Sequence, residues 1–260
     1  MRILFIGDIV GSIGRTCVKR LLPGLCEARR IDMVLANGEN AAGGLGATPA
    51  ILQDLLSIGI HGITMGNHTW RKRELVEGID SLGPLVRPAN YPDGVPGKGS
   101  VIVKLPDGRR AGLVNVLGRV YMEPYGNPFE AALREVERLR KEVALVVVDF
   151  HAEATAEKVA MGWSLDGRCT AVVGTHTHVQ TADERVLPQG TAYITDLGMT
   201  GPFDSVIGLD RTLSIQRFLT GLPVAHTVAT ERPGLCGAIV EADDASGRAV
   251  SIERVVQMLD

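Results

Sequence analysis

Short apolar runs end in polar residues repeatedly along the first third of the chain. Ile3 to Ile6 leads into Gly7-Asp8, Met33 to Ala36 into Asn37-Gly38-Glu39-Asn40, and Gly62 to Met65 into Gly66-Asn67-His68. Each run is too short for a helix and reads as a buried strand. Between them, Arg15 to Arg29 has apolar positions at helical spacing, interrupted by Pro23. Thr48-Pro49 opens another helix through Ile58, with the threonine as cap and the proline in the first turn. Strand, loop and helix in repetition predict a parallel sheet with right-handed crossovers.

The pattern changes in the middle. Val101 to Leu105 and Gly112 to Leu117 flank Pro106-Asp107-Gly108, which signals an antiparallel hairpin. Pro128 to Lys141 reads as a charged surface helix and Val143 to Val148 as a strand that runs into Asp149-Phe150-His151. Ala171 to Val173 precedes Gly174-Thr175-His176-Thr177-His178, and Tyr193-Ile194 precedes Thr195-Asp196. Cys236 to Val256 folds as a second hairpin around Asp243 to Gly247. No linker, repeat or low-complexity stretch divides the chain, so residues 1–260 read as one α/β domain.

Composition narrows the class. The chain is 45% hydrophobic but only 4% aromatic, so its core is aliphatic, as in strands covered by helices. A formal net charge of −3 without a basic run excludes a surface that tracks a long nucleic acid. Cys17, Cys26, Cys169 and Cys236 form no C-x-x-C pair and read as reduced, packed thiols. The N-terminal apolar run lacks the length of a signal-peptide core and no segment reaches a membrane span, so a cytoplasmic protein that binds no membrane is expected.

The candidate chemistry sits where the strands end. Asp8, Glu39 with Asn40, Asn67 with His68, His151, and His176 with His178 all follow predicted strands. In open α/β sheets ligands bind outside the carboxyl ends of the strands, so these residues can converge despite their separation in sequence. Without a ligand such a cluster leaves buried polar groups poorly paired, at about 1–3 kcal/mol each. Carboxylate, amide and imidazole donors suit manganese, iron, zinc or nickel. The set is too large for one tetrahedral ion but fits two ions that share a carboxylate, about 3.5–4 Å apart. Two divalent ions against Asp8 and Glu39 leave a positive surplus that attracts a phosphate ester and makes hydroxide available at neutral pH. Singly the pieces have plainer readings: Asp8 as a cap or turn residue, Asn-Gly-Glu-Asn as a turn. His61 and His226 read as structural.

In order, these motifs resemble the calcineurin-like metallophosphoesterases, whose blocks run D-x-H, G-D-x-x-D, G-N-H-[DE], H and G-H-x-H. Asp8-Ile9-Val10 lacks the first histidine, Glu39 replaces the bridging aspartate, Thr69 follows Gly66-Asn67-His68, and Thr175 is inserted before His176. The departures are similar to the YmdB-like branch. The likeness spans nearly the whole chain, through GDIVG from Gly7, NGENAAGG from Asn37, GNHTW from Gly66, HAEAT from His151, GTHTHVQTAD from Gly174 and TDLGMTGP from Thr195.

The resemblance implies a four-layer α/β/β/α sandwich of two mixed sheets, with two metal ions, iron or manganese, at the loop ends. Asp8 and His178 would hold the first metal, with Asn40 in place of the missing histidine. Glu39 would bridge, and Asn67, His151 and His176 would hold the second. His68 would be the catalytic histidine beside the scissile group. The implied activity is hydrolysis of cyclic nucleotides, 2′,3′- and 3′,5′-cyclic AMP, or similar small phosphodiesters by a metal-bridging hydroxide. RNA ends are a further partner class.

Two rivals share these residues. A phosphomonoesterase would need extra cations, for which Arg71, Lys72 and Arg73 are the nearby candidates. A metal-dependent nucleotide- or RNA-binding regulator would need neither His68 nor an activated water. Around the site, Gly11, Gly14, Gly43, Gly44 and Gly46 offer close backbone approach or plain turns. Trp70 stacks on a nucleobase or packs on the sheet, and Thr200 to Pro202 are expected at a pocket rim. Exposed hairpin edges favour a homo-oligomer.

Overall fold

The computed structural model describes residues 1–259. In chain order the elements are β1 (Arg2–Ile6), β2 (Asp8–Ile9), α1 (Gly11–Arg29), β3 (Met33–Asn37), α2 (Pro49–Ser57), β4 (Gly62–Thr64), α3 (Arg73–Gly78) and β5 (Leu85–Val86). They continue with β6 (Ser100–Lys104), β7 (Arg110–Leu117), α4 (Pro128–Arg140), β8 (Leu145–His151), α5 (Thr155–Ser164) and β9 (Ala171–Thr175). The last are β10 (Arg185–Val186), β11 (Ala192–Ile194), β12 (Met199–Pro202), α6 (Arg211–Thr220), β13 (Pro233–Ala242) and β14 (Ala249–Met258).

The strands form two mixed sheets. The first runs β2-β12-β13-β1-β3-β4-β5, with β14 also on β13; the second runs β10-β11-β9-β8-β7-β6. Strands β1, β3, β4 and β5 are parallel, as are β7, β8, β9 and β11. Side-chain alternation assigns the layers. From β1 and β3, Leu4, Ile6, Val34 and Ala36 pack with Val18 and Leu22 of α1 and Leu52 and Leu55 of α2. Their neighbours Ile3, Phe5, Met33 and Leu35 face Leu113, Leu145, Val147 and Val173 of the second sheet. Val146, Val148 and Phe150 turn outward onto Ala132 and Val136 of α4 and Met161 of α5. Helix, sheet, sheet, helix is the expected four-layer sandwich.

Several expectations shift. Helix α1 starts at Gly11 and runs through Pro23 instead of breaking there. The proline and Lys19, whose carbonyl it leaves without an N–H partner, are both exposed, so that carbonyl is open to solvent. Strand β8 extends to His151 because β7 and β9 pair with it that far: Leu117 and Thr175 both stand opposite His151. Thr200 to Pro202 are not a rim; they are buried in β12 against β13. Trp70 packs on the first sheet's helix-side core, its ring 6.0 Å from that of Tyr91. His61 is structural: its Nδ1 accepts from the Val34 N–H at 3.0 Å. All four cysteines are free, and Cys17, Cys169 and Cys236 are buried. Gly11, Gly43, Gly44 and Gly46 take positive φ, whereas Gly14 does not. No described helix is long and apolar enough to cross a membrane.

Candidate metal centre

The parallel strands of both sheets end at one edge of the sandwich, and the apolar layer between the sheets closes there in polar residues. Asp149 continues the inward face of Leu145 and Val147 on β8. Its carboxylate accepts from Thr175 Oγ1 at 2.7 Å, from Asn37 Nδ2 at 3.2 Å and from Thr64 Oγ1, which joins the two sheets. Burial raises this carboxyl to about 6 despite His151 and the hydroxyl donors. Above this layer lie the residues expected at the strand ends.

Glu39 is the hub. Its fully buried Oε1 lies 3.1 Å from Asn40 Nδ2, 3.2 Å from His151 Nε2 and 3.5 Å from His68 Nδ1; Oε2 accepts from the His68 N–H at 3.0 Å. Gly66 makes this approach feasible, since a Cβ there would stand 2.4 Å from Oε2 and 2.5 Å from the His151 ring. Burial disfavours the Glu39 carboxylate, but His151 and His68 outweigh it and hold the group at about 2.

On one side of Glu39, three acceptors crowd a single ring nitrogen. His151 Nε2 lies 3.0 Å from Asn67 Oδ1, 3.1 Å from His176 Nδ1 and 3.2 Å from Glu39 Oε1. A ring nitrogen carries at most one proton, so hydrogen bonding cannot satisfy this set. A shared cation can: ligands at about 2.1 Å and right angles from one ion lie about 3 Å apart. Glu39, His151 and His176 form a cluster able to hold a metal ion. The other ring nitrogens are held from behind, His151 Nδ1 by Thr175 Oγ1 at 2.9 Å and His176 Nε2 by Glu153 at 3.2 Å. Such outer contacts fix ring orientation at metal sites. Burial and the neighbouring His151 depress His176 to about 3, so its lone pair is free.

On the other side stand Asp8, Asn40 and His178. Asp8 is pinned by the pairing of β2 with β12. Its Oδ2 accepts from the His176 N–H at 3.1 Å, while its buried Oδ1 has no hydrogen-bond partner. That oxygen lies 3.6 Å from His178 Nε2, which Asn40 Nδ2 approaches to 3.2 Å. An orphaned buried carboxylate oxygen beside an imidazole suits a second cation. Burial opposes a charged His178, but Asp8 outweighs it and raises the ring to about 9; burial likewise fails to lift Asp8, which His178 and His151 hold well below the carboxylate range.

This sets a sign for metal binding. The metal-free protein keeps a proton on His178 below about pH 9, and ligation requires the neutral ring. Metal uptake at pH 7 is therefore expected to release about one proton, with affinity falling about tenfold per unit as pH drops. A Mn²⁺ titration in weakly buffered solution measures this, and no release would remove His178 from the ligand set.

The histidine loop after β9 is built from unusual backbone. Among the described residues, six non-glycine residues have positive φ, and His176, His178, Ile207 and Tyr121 are four of them. Ile207 accepts from His178 Nδ1 through its carbonyl at 2.8 Å. Between the histidines, the Thr177 N–H and hydroxyl both donate to Asp196, at 3.2 and 2.8 Å. Asp196 forms a buried ion pair with Lys158 of α5 at 2.6 Å, and the same ammonium donates to the Thr175 carbonyl at 2.7 Å. Sequence reasoning missed Asp149, Glu153, Lys158 and Asp196 as parts of the site. The available signals were a lone carboxylate inside Val146-Val147-Val148-Asp149-Phe150 and Asp196 just after the strand run Tyr193-Ile194.

Comparison with known proteins fits these features. The family described as "YmdB-like protein" matches residues 4–255. A protein of Bacillus subtilis (strain 168) named 2′,3′-cyclic-nucleotide 2′-phosphodiesterase is 51% identical, over 98% of this chain and 97% of its own. The crystal structure of a hypothetical protein from Thermus thermophilus superposes with a TM-score of 0.92 at 40% identity, covering 100% of both chains. A Mycoplasma pneumoniae structure described as a novel phosphatase gives a TM-score of 0.92 at 34% identity, covering 99% of this chain and 93% of that one. On the match of nearly its whole length, this chain belongs to the YmdB-like family.

Proposed function

We propose that this chain is a two-metal phosphodiesterase that opens 2′,3′-cyclic nucleotides and related small phosphodiesters. The observation that carries this reading is Glu39, whose carboxylate touches His151 beside Asn67 and His176 on one side and, on the other, the Asn40 amide that bridges it to His178 beside Asp8. The name of the Bacillus subtilis relative supports the same chemistry. Bound divalent ions would neutralise the phosphoryl oxygens and lower the pKa of water. Iron or manganese fits the mixed oxygen and nitrogen donors.

The chain's own part is positioning and proton transfer. Water oxygen joins phosphorus, the bond to the ribose 2′-oxygen breaks, and that oxygen leaves with a proton. His68 Nδ1 faces Asn40 Oδ1 at 2.8 Å, which commits that nitrogen and leaves Nε2 for the reacting group. Burial lowers His68 against the pull of Glu39; an anionic diester beside the ring favours the protonated, donating form. Replacing His68 by alanine is expected to lower kcat by about 10²–10⁴-fold with metal content retained. Loss of both metals in that variant would make His68 a ligand or a structural residue.

The direct test is turnover of 2′,3′-cyclic AMP by purified protein supplied with Mn²⁺, with the 3′-nucleotide as product. No turnover, with two ions measured per chain, would overturn the reading. Of the cations a monoesterase would use, Arg73 is 90% exposed and pairs with Glu77 on its own helix, Lys72 is half-buried, and Arg71 is exposed but near enough to lower His68, so monoesters are assayed beside the diester. The same site extends to 3′,5′-cyclic AMP and RNA ends only as further substrates to assay.

A further inference from the structure

Next to the metal centre lies a hollow of about 320 Å³ lined by Asn67, His176, Tyr121, Met122 and Glu123. The size is at the lower end for small-molecule sites. Two of the lining residues belong to the donor set; the other three are consecutive in the loop between β7 and α4. Nothing in the mechanism above uses them.

The loop is anchored at both ends. At its start, the Gly118 N–H donates to the His151 carbonyl at 2.9 Å, and the Arg119 and Val120 N–H groups donate to the Glu157 carboxylate of α5 at 3.0–3.3 Å. At its end, Tyr125 packs on Tyr91 with ring centroids 4.6 Å apart, and the Tyr91 hydroxyl donates to the Gly66 carbonyl at 2.9 Å. One end therefore rests on a donor residue and the other on the loop that carries Asn67 and His68.

Between the anchors, Tyr121 is 90% exposed and has φ of 63°. The left-handed conformation costs a bulky residue about 1–2 kcal/mol, a cost glycine would not incur. A well-anchored loop thus holds an aromatic face open at the hollow, with Met122 beside it and a carboxylate at Glu123. Stacking on such a face is open to any base and is worth about 1–3 kcal/mol per base. A carboxylate acceptor suits bases that carry an exocyclic amine.

We infer that Tyr121 and Glu123 form a nucleobase subsite, with the Tyr121 ring stacking on the base of a nucleotide whose phosphate lies at the metal centre. This rests on the diesterase reading and adds what the metal centre alone lacks, selection for a nucleoside over a bare cyclic phosphate. The subsite favours adenine, cytosine and guanine over uracil through Glu123.

The test compares 2′,3′-cyclic AMP with glycerol 1,2-cyclic phosphate, which has no base, on the Mn²⁺-loaded protein. Tyr121→Ala is expected to raise KM for cyclic AMP about tenfold, with kcat and the constants for the glycerol ester nearly unchanged. Tyr121→Phe keeps the wild-type values, and Glu123→Gln narrows the preference for cyclic AMP over cyclic UMP. Equal effects on both esters, or none on either, would overturn the subsite. If the wild-type protein turns over neither ester, the diesterase reading fails, and equilibrium dialysis of AMP decides the subsite alone. Weaker AMP binding by Tyr121→Ala than by wild type sustains it, and equal binding overturns it. Unchanged thermal unfolding of the variants checks that the fold is intact.

Discussion

Replacing Glu39 by glutamine is expected to abolish stable metal uptake and to lower phosphodiester turnover by about a thousandfold or more. The glutamine side chain has nearly the same size, so packing against Gly66 and His151 is kept. What changes is charge and donor sense. Glu39 is fully buried and ionised, and it faces Asn40 Nδ2 and His151 Nε2 through one oxygen. An amide offers no negative charge to two cations, and its NH₂ group would point a donor at donors. A loss of about 4 kcal/mol of transition-state stabilisation corresponds to that thousandfold. Metal analysis, turnover and thermal unfolding with and without Mn²⁺ read the result together. Wild-type protein should gain unfolding temperature on metal addition, because the ion binds only the folded chain, and the variant should not. A Glu39→Gln protein that retains two ions and its activity would remove Glu39 from the bridging role.

The second large effect is expected from Lys158→Met. Lys158 and Asp196 are a buried ion pair, and breaking such a pair from one side costs about 3–5 kcal/mol. For a chain of this size that is a fall of roughly 10 °C in unfolding temperature. The position makes the effect more than one of stability. The Lys158 ammonium holds the Thr175 carbonyl, and Asp196 holds Thr177, so the pair clamps the backbone from which His176 and His178 project. Metal affinity should therefore fall along with stability. Adding Asp196→Asn to Lys158→Met removes the stranded charge and should recover part of the lost stability. A single substitution milder than the double one, or unfolding and metal binding that both stay at wild-type values, would contradict the clamp.

Much of this arrangement is readable in the sequence. Asp8, Glu39, Asn67, His151 and His176 each follow or close an apolar run, and a parallel sheet brings such positions to one edge whatever their separation. Chain order alone therefore locates the donor set. The supports are not readable in the same way. Lys158 sits in α5 among residues that look like an ordinary helix face, and its partner lies 38 residues on. Asp149 looks like the first residue after a strand; only the pairing of β7 and β9 on either side shows that the strand continues through it. Pro23 misleads for a local reason, since the cost of proline in a helix depends on whether the freed carbonyl meets water. Tyr121 carries no periodic signal at all. Its exposure and left-handed backbone are properties of a loop held by Glu157 and Tyr91, neither of them near it in sequence.

One pairing in the first sheet bears on how the protein is made. Strand β1 lies between β3 and β13, with Arg2 opposite Glu241 and Ile6 opposite Gly237, and the terminal amine donates to the Ala242 carbonyl. Both edges of β1 are therefore paired only once β13, far along the chain, has been made. Until β13 arrives, β1 is an open edge of apolar residues, the kind of surface that pairs with other chains. The donor residues from Asp8 to His178 are all synthesised earlier, but Asp8 takes its place on β2 only when β12 stands beside it, and β12 itself pairs with β13. On this topology the Asp8 side of the candidate centre is completed only once β12 and β13 have paired.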